Sequence, residues 1–347
     1  MAIETFEDVV ESIRTKGRTF HLLVGNGFSM AYDKKIFSYN ALHDFIENSN
    51  DELLSKVFEV VKTKNFELIL QQLGTFSLLI SALGSDEKLK KNIDMASAKL
   101  KTSLIDAVKT LHPEHVFKIP EEQIASCSKF LKLFLDVKGS IFTTNYDVLL
   151  YWVLMRSAEL KSVIDGFGRD RESPDEYVPS SELEYSELRW GKYKSNQVIF
   201  YMHGALPLFD TGIDIIKEEY SGQHYLLENI GRRVDKGEYP IFVTAGNGKE
   251  KLTHIRHNRY LSYCYDKLSE IDGSLVTFGF NFGEYDEHII DAINIAAHHG
   301  KSAKSKLRSI YIGAYSDDDV RHIESIIDKF KCKVHIFDAK SVPIWNS

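Results

Sequence analysis

The chain has 347 residues, 43% of them hydrophobic, and 43 Lys and Arg against 50 Asp and Glu give a formal net charge of −7. That length suffices for one large core, or for a core with an inserted subdomain. The acidic balance supplies no global pull toward nucleic acid, so direct nucleic-acid binding is not expected.

The three cysteines, Cys127, Cys264 and Cys332, include no C-x-x-C pair. A four-thiolate zinc site within one chain and a disulfide framework are both excluded, which points to a reducing cytosol and a cytoplasmic location. The stretch from Met1 to Gly17 carries Glu4, Glu7, Asp8 and Glu11. It lacks the basic start and apolar run of a signal peptide. No stretch approaches the ~18–20 apolar residues that span a bilayer, so a soluble protein with no membrane partner is expected.

In chain order, the first β-rich run is His21–Val24, closed by the turn Gly25-Asn26-Gly27-Phe28-Ser29. From residue 39 to 135 the apolar spacing is helical throughout, which predicts a helical insertion between a first segment, 1–38, and the rest of the domain, 136–347. Ser140–Thr143 is the next strand, followed by a helical pattern over Asp147–Ser157. Residues 166–195 are charged and read as a polar loop or small subdomain. Strands then recur at Val198–Met202, Ile241–Thr244, Leu275–Phe278, Ser309–Ile312 and Lys333–Phe337. Helical patterns over Arg259–Ile271, Tyr285–His298 and Asp317–Lys331 alternate with the later ones. Nearly all-apolar strands alternating with helices predict an α/β, Rossmann-like fold with a mainly parallel sheet covered by helices on both faces.

In such sheets ligands gather beyond the carboxyl ends of the strands, so the residues that follow each strand carry the functional argument. Two glycines one residue apart, Gly25 and Gly27, let a backbone approach a phosphate whose oxygens the following amides could meet; a tight turn without a ligand explains them equally. Met30 occupies the position where a dehydrogenase fingerprint needs glycine, which removes the best marker of hydride-transfer chemistry. Thr144-Asn145-Tyr146-Asp147 places consecutive polar groups at the second strand end, suited to ribose hydroxyls or an amide, although an ordinary helix N-cap by Asn145 or Asp147 accounts for the same residues. His203-Gly204 places an imidazole at a third strand end, as a proton acceptor or as a structural histidine. His112 and His115 flank Pro113, which breaks the helix that would align them as metal ligands. His254 and His257 read as surface residues. No metal site is expected.

Taken together, Gly25-Asn26-Gly27-Phe28-Ser29, Thr144-Asn145-Tyr146-Asp147 and His203-Gly204 resemble, in order, the G-A-G-x-S, T-x-N-x-D and H-G motifs of the sirtuin superfamily. Phe278-Gly279-Phe280-Asn281-Phe282 is similar to that superfamily's loop against the NAD ribose and phosphate. The run from Ile241 through Lys251, Asn258-Arg259-Tyr260-Leu261 and Asp286-Glu287-His288-Ile289 resembles zinc-free bacterial members, including the defence-associated sirtuins. The resemblance leaves the helical insertion unaccounted for, and the paired cysteines of deacetylating sirtuins are missing.

The resemblance implies NAD as a substrate, no zinc, and hydrolysis of its nicotinamide–ribose bond. It assigns Asn145 to the ribose and a water, Asp147 to the nicotinamide carboxamide and His203 to proton acceptance. Gly25, Asn26, Gly27, Phe28, Ser29, Thr144, Gly279, Phe280 and Asn281 would form the rest of the NAD site. It further implies a role in anti-phage defence, gating by a homo-oligomer or a partner such as a HerA-type ATPase, and two other readings: an NAD or ADP-ribose sensing module, and an NAD-dependent protein deacylase.

Overall fold

A computed structural model describes residues 3–34, 51–61, 66–84, 87–111, 116–170, 186–219, 225–236, 238–243, 247–298 and 306–345. Eleven strands occur among them: β1 (Phe20–Val24), β2 (Ile141–Thr143), β3 (Phe167–Gly168), β4 (Leu188–Trp190), β5 (Ile199–Tyr201), β6 (Gly204–Asp210), β7 (Ile215–Lys217), β8 (Pro240–Phe242), β9 (Gly273–Phe278), β10 (Leu307–Ala314) and β11 (Lys333–Asp338).

Six of these form a parallel sheet in the order β11-β10-β9-β1-β2-β5. Read from the other edge, the third, second and first strands in sequence precede the fourth, fifth and sixth, which is the doubly wound Rossmann order. The α/β architecture with a parallel sheet flanked by helices is therefore as the apolar strands predict. Burial explains their composition, since every residue of β1, β2, β5 and β9 is buried. Strands covered on both faces have no solvent side on which to alternate.

Helix Phe6–Thr15 packs against β11 and was not anticipated. Its signals are nonetheless local: Thr5 and Asp8 form a reciprocal capping box, and Phe6, Val9, Val10 and Ile13 bury one face.

The remaining strands make a second sheet, β3-β4-β7-β6-β8, antiparallel throughout. The strand expected at Ile241–Thr244 belongs here rather than to the parallel sheet, and β6 and β7 were not foreseen. The chain is diverted at Gly204, whose φ is +81° and where a Cβ would lie 1.8 Å from the Ile241 carbonyl oxygen. Only glycine permits that turn and that approach.

Helices Glu52–Val61, Phe66–Leu83 and Glu87–Leu111 enclose a small core of their own around Leu54, Phe58, Ile69, Leu70, Leu73 and Leu100. Helix Glu121–Leu135, expected within the insertion, belongs instead to the main core. Its Phe134 meets Phe20 of β1 edge-on at 5.2 Å, and Phe130 packs on Phe278 of β9. Helical periodicity shows that such a segment has an apolar face but not which core receives it. Among the described residues no helix is long and apolar enough to cross a membrane.

Candidate functional site

Four adjacent strands, β9, β1, β2 and β5, deliver their carboxyl ends to one edge of the parallel sheet. The segments that follow them carry Gly279–Asn281, Gly25–Ser29, Thr144–Asp147 and His203. β9 and β1 straddle the point where strand order reverses, the usual ligand position in such sheets.

At that switch point the two loops touch backbone to backbone. A Cβ on Gly25 would lie 2.6 Å from the Gly279 oxygen, and one on Gly27 only 2.5 Å from the Gly279 Cα; Gly279 itself has φ +64°. The amides of Gly25, Gly27 and Phe28 donate to Phe278 O, Gly279 O and Gly25 O, respectively. The glycines are thus required by loop–loop packing, and three of the amides read from the sequence as phosphate donors are already engaged. The Phe28 side chain turns away into the core, edge-on to Trp345, whose indole N–H donates to the Phe28 carbonyl. Phe280 is buried against Phe282. Asn26, half-buried, opens helix Asn26–Tyr32, and Asn281, exposed, lies on the loop after β9.

Behind the turn, a chain of hydrogen bonds ties β1 to β2. Asn145 Nδ2 donates to Ser29 Oγ at 2.9 Å, and Ser29 Oγ donates to Asp147 Oδ2 at 2.5 Å. The other Asp147 oxygen accepts from the Leu149 amide at the start of helix Leu149–Arg156. Each Asp147 oxygen thus accepts one protein hydrogen bond, so Asp147 anchors Ser29 and holds the Leu149 amide. Each carboxylate oxygen keeps further acceptor capacity, and Asp147 is half-buried. Asn145 has its backbone amide bonded to Thr143 Oγ1, while its side-chain Oδ1 has no protein partner among the described residues. Thr144 Oγ1 bonds the Val24 carbonyl.

Tyr146 stacks on the His203 ring at 6.3 Å, packs against the helical insertion and bonds the Val243 carbonyl through its hydroxyl. Asn145 and His203 are in this way held on the same edge of the sheet, separated by one aromatic residue.

His203 is 3% exposed, and its Nε2 lies 2.8 Å from Nε2 of His288, itself 1% exposed. The ring centroids are 5.0 Å apart. Lys251, also buried, brings its ammonium 3.6 Å from Asp286. Burial, then His288 and then Lys251 hold His203 well below the ordinary imidazole range. Burial followed by Lys251 drives His288 down to about 3, and burial raises Asp286 against the opposing pull of Lys251. Both imidazoles are accordingly neutral near pH 7.

His288, Asp286 and Lys251 were visible in the sequence only as parts of a family-like run. The D-x-H spacing at 286–288 is their local signal, and nothing in it points to residue 203.

His203, Asp286 and His288 each offer a ligand atom within 4.8 Å of the others, the spacing of a metal cluster. Two features favour a hydrogen-bonded pair over chelation. The ring nitrogens lie nearly on the line joining the two centroids, aimed end to end, and the Lys251 cation already balances the single carboxylate.

Other candidates fall elsewhere. A cavity of about 290 Å³ lined by Glu187, Glu218, Asn229, Arg232, Arg233 and Lys236 lies beside the second sheet, where Arg233 is clasped by Glu187, Glu218 and Glu238. His254 and His257 are exposed on helix Gly248–His257, as expected. His112 and His115 lie outside the described residues.

The chain belongs to the family described as a domain of unknown function, DUF4917, whose model matches residues 22–345. No curated protein matches it.

Proposed function

We propose that the chain hydrolyses the nicotinamide–ribose bond of NAD⁺, as its resemblance to the sirtuin superfamily implies. The observation that supports this reading is that Asn145 and His203 follow the adjacent parallel strands β2 and β5 at one carboxyl edge of a Rossmann-ordered sheet, with Ser29 joining Asn145 to the neighbouring strand. In the reaction, water supplies hydroxide to the anomeric carbon and the C–N electron pair leaves with nicotinamide. The products are nicotinamide, ADP-ribose and a proton. The bond breaks through an oxocarbenium-like ribose, which gains from amide dipoles held nearby.

Asn145 keeps an amide oxygen for the water or the ribose while its NH₂ group is fixed on Ser29. His203, neutral because buried, accepts the proton. Asp147 acts through Ser29 as a positioning residue. With the Gly25, Gly27 and Phe28 amides spent on packing, the side chains of Asn26 and Asn281 take over as the polar groups for the diphosphate. The helical insertion gates the site through Tyr146, which touches both the insertion and His203. Assembly with further copies or with a HerA-type ATPase, and a role in anti-phage defence in the cytoplasm, belong to the same proposal.

The test is to incubate the purified chain with NAD⁺, alone and with the products of adjacent genes, and to quantify nicotinamide. Release that His203→Ala abolishes supports the reading; no release under any condition removes it. The closeness of the site, with Asn145 only 9% exposed, favours one second reading, a sensor that binds NAD or ADP-ribose without turnover. That sensor shows saturable binding with no product.

A further inference from the structure

Helix Phe66–Leu83 has one charged residue, Glu67, and none from Gly74 onward. A helix that is apolar on every side belongs in a core. The first half of this one obeys, with Ile69, Leu70 and Leu73 buried, but beyond them Phe76, Leu79 and Leu83 are 53%, 49% and 77% exposed.

Ile69, Leu70, Leu73 and Ser77 mark the side turned to helix Glu87–Leu111, where Ser77 Oγ donates to Asp94 Oδ1 at 2.6 Å. At 3.6 residues per turn, Phe76, Leu79 and Leu83 fall together on the flank beside that line, along about 10 Å of helix axis. The two helices follow each other through a short connection and pack as an antiparallel hairpin. The Ser77–Asp94 bond sets Phe76 level with Met95, and the reversed direction of the second helix turns Met95, 44% exposed, to the same flank.

A second copy of this chain fits that flank by symmetry. A two-fold axis beside Leu79 sets Leu79 against its own counterpart and Phe76 of each copy against Leu83 of the other, the self-complementary pattern of an isologous contact. The area is sufficient. Counting on the order of 150 Å² for each large apolar side chain laid bare, Phe76, Leu79, Leu83 and Met95 offer roughly 300 Å² per copy. Interfaces are about 60% apolar, so two such flanks bury a total near about 1,100 Å², just past the ~1,000 Å² that a specific contact needs.

We propose that this flank of the hairpin is a homodimer interface, with the C-terminal halves of two Phe66–Leu83 helices crossing antiparallel at Leu79. An interface of this size gives a reversible dimer. Tyr146 packs against the same hairpin core and stacks on His203, so the dimer is the assembly that acts on the site. As a statement about gating this rests on the NAD-cleavage reading; as a statement about assembly it does not.

The test is sedimentation velocity of the full chain over roughly 1–100 μM, the range of weak but specific pairs. The expected result is a monomer that converts to a dimer as concentration rises. Leu79→Glu and Leu83→Glu, on exposed positions, should stay folded by circular dichroism and remain monomeric. Ile213→Glu, 80% exposed on the turn between β6 and β7, should dimerise like the wild type. A wild-type chain that is monomeric throughout overturns the proposal, as does a dimer that survives both glutamates. The axis is tested separately: under mild oxidation Leu79→Cys should cross-link two copies and Ile213→Cys should not. Equal cross-linking of the two overturns the assigned axis. A monomer that floats with vesicles of phosphatidylcholine and phosphatidylserine, and loses this in Leu83→Glu, would make the flank a lipid contact and overturn the dimer.

Where nicotinamide release is measurable, its rate per chain should change as dilution dissociates the dimer, and a rate independent of dilution overturns the link to the site. Absence of NAD cleavage would remove the function proposed above and leave the association result standing.

Discussion

Asn145 and Ser29, 116 residues apart in sequence, are joined by a hydrogen bond of 2.9 Å that links the ends of two neighbouring parallel strands. Ser29 is fully buried and passes the link on to Asp147. Three polar side chains named separately by strand-end position thus form one connected unit.

Ser29→Ala removes the middle of that unit and leaves Asn145 Nδ2 and an Asp147 oxygen without their partner. Stranding buried polar groups costs about 1–3 kcal/mol. Urea denaturation should show a midpoint lowered accordingly with an unchanged slope. An unaltered midpoint would mean that the network contributes nothing to the fold.

The glycine turn makes a separate prediction. Because a Cβ on Gly27 would lie 2.5 Å from the Gly279 Cα, Gly27→Ala must push the start of helix Asn26–Tyr32 away from the loop after β9. Overpacking of this kind costs roughly 1–3 kcal/mol, and thermal unfolding in the absence of any ligand should reveal it. A glycine kept only for phosphate access would give an alanine variant of wild-type stability.

Stability should fall in mild acid. The ordinary imidazole value is 6.5, and His288 lies at about 3 in the fold, with His203 also well below 6.5. Below pH 6.5 the unfolded chain therefore binds protons that the folded chain refuses, and the stability present above that pH is lost as pH falls toward 3. Each such histidine contributes up to about 1.4 kcal/mol per pH unit within the window. Denaturation midpoints at pH 7.5, 6 and 5 (spanning roughly the ordinary histidine value) measure the slope. His288→Gln should reduce it by up to one proton's worth, and an equal slope in wild type and variant would contradict the neutral buried pair.

Activity offers the sharpest contrast between residues of the same edge. His203→Ala should lower nicotinamide release by ~10²–10⁴-fold, and Asn145→Ala should lower kcat without abolishing NAD binding. Tyr146→Phe, which deletes only the hydroxyl bonded to Val243 O, should cost about 0.5–1.5 kcal/mol of stability and leave release unchanged. Loss of release in Tyr146→Phe would place its hydroxyl in the chemistry instead.

What the sequence by itself determined is local. Continuous apolar runs such as Leu275–Phe278 declare strands buried on both faces, and the polar or glycine-bearing residues just after β1, β2, β5 and β9 must reach one edge once those strands run parallel. Position at a strand end is a property of short segments, so it is legible without partners.

Only the tertiary structure decided which contacts those segments make. It turned the chain at Gly204 into an antiparallel sheet, since the approach of Gly204 to Ile241 is a contact between segments 37 residues apart, absent from any local pattern. It bonded the Gly25 and Gly27 amides to the Phe278 and Gly279 carbonyls and the Phe28 amide back to Gly25, and it gave the two Asp147 oxygens Ser29 and Leu149 as partners. It also brought His288 to His203 across 85 residues of chain. Hydrogen-bond partners and burial arise from packing between distant elements, and they, rather than residue type, set which polar atoms remain available for chemistry.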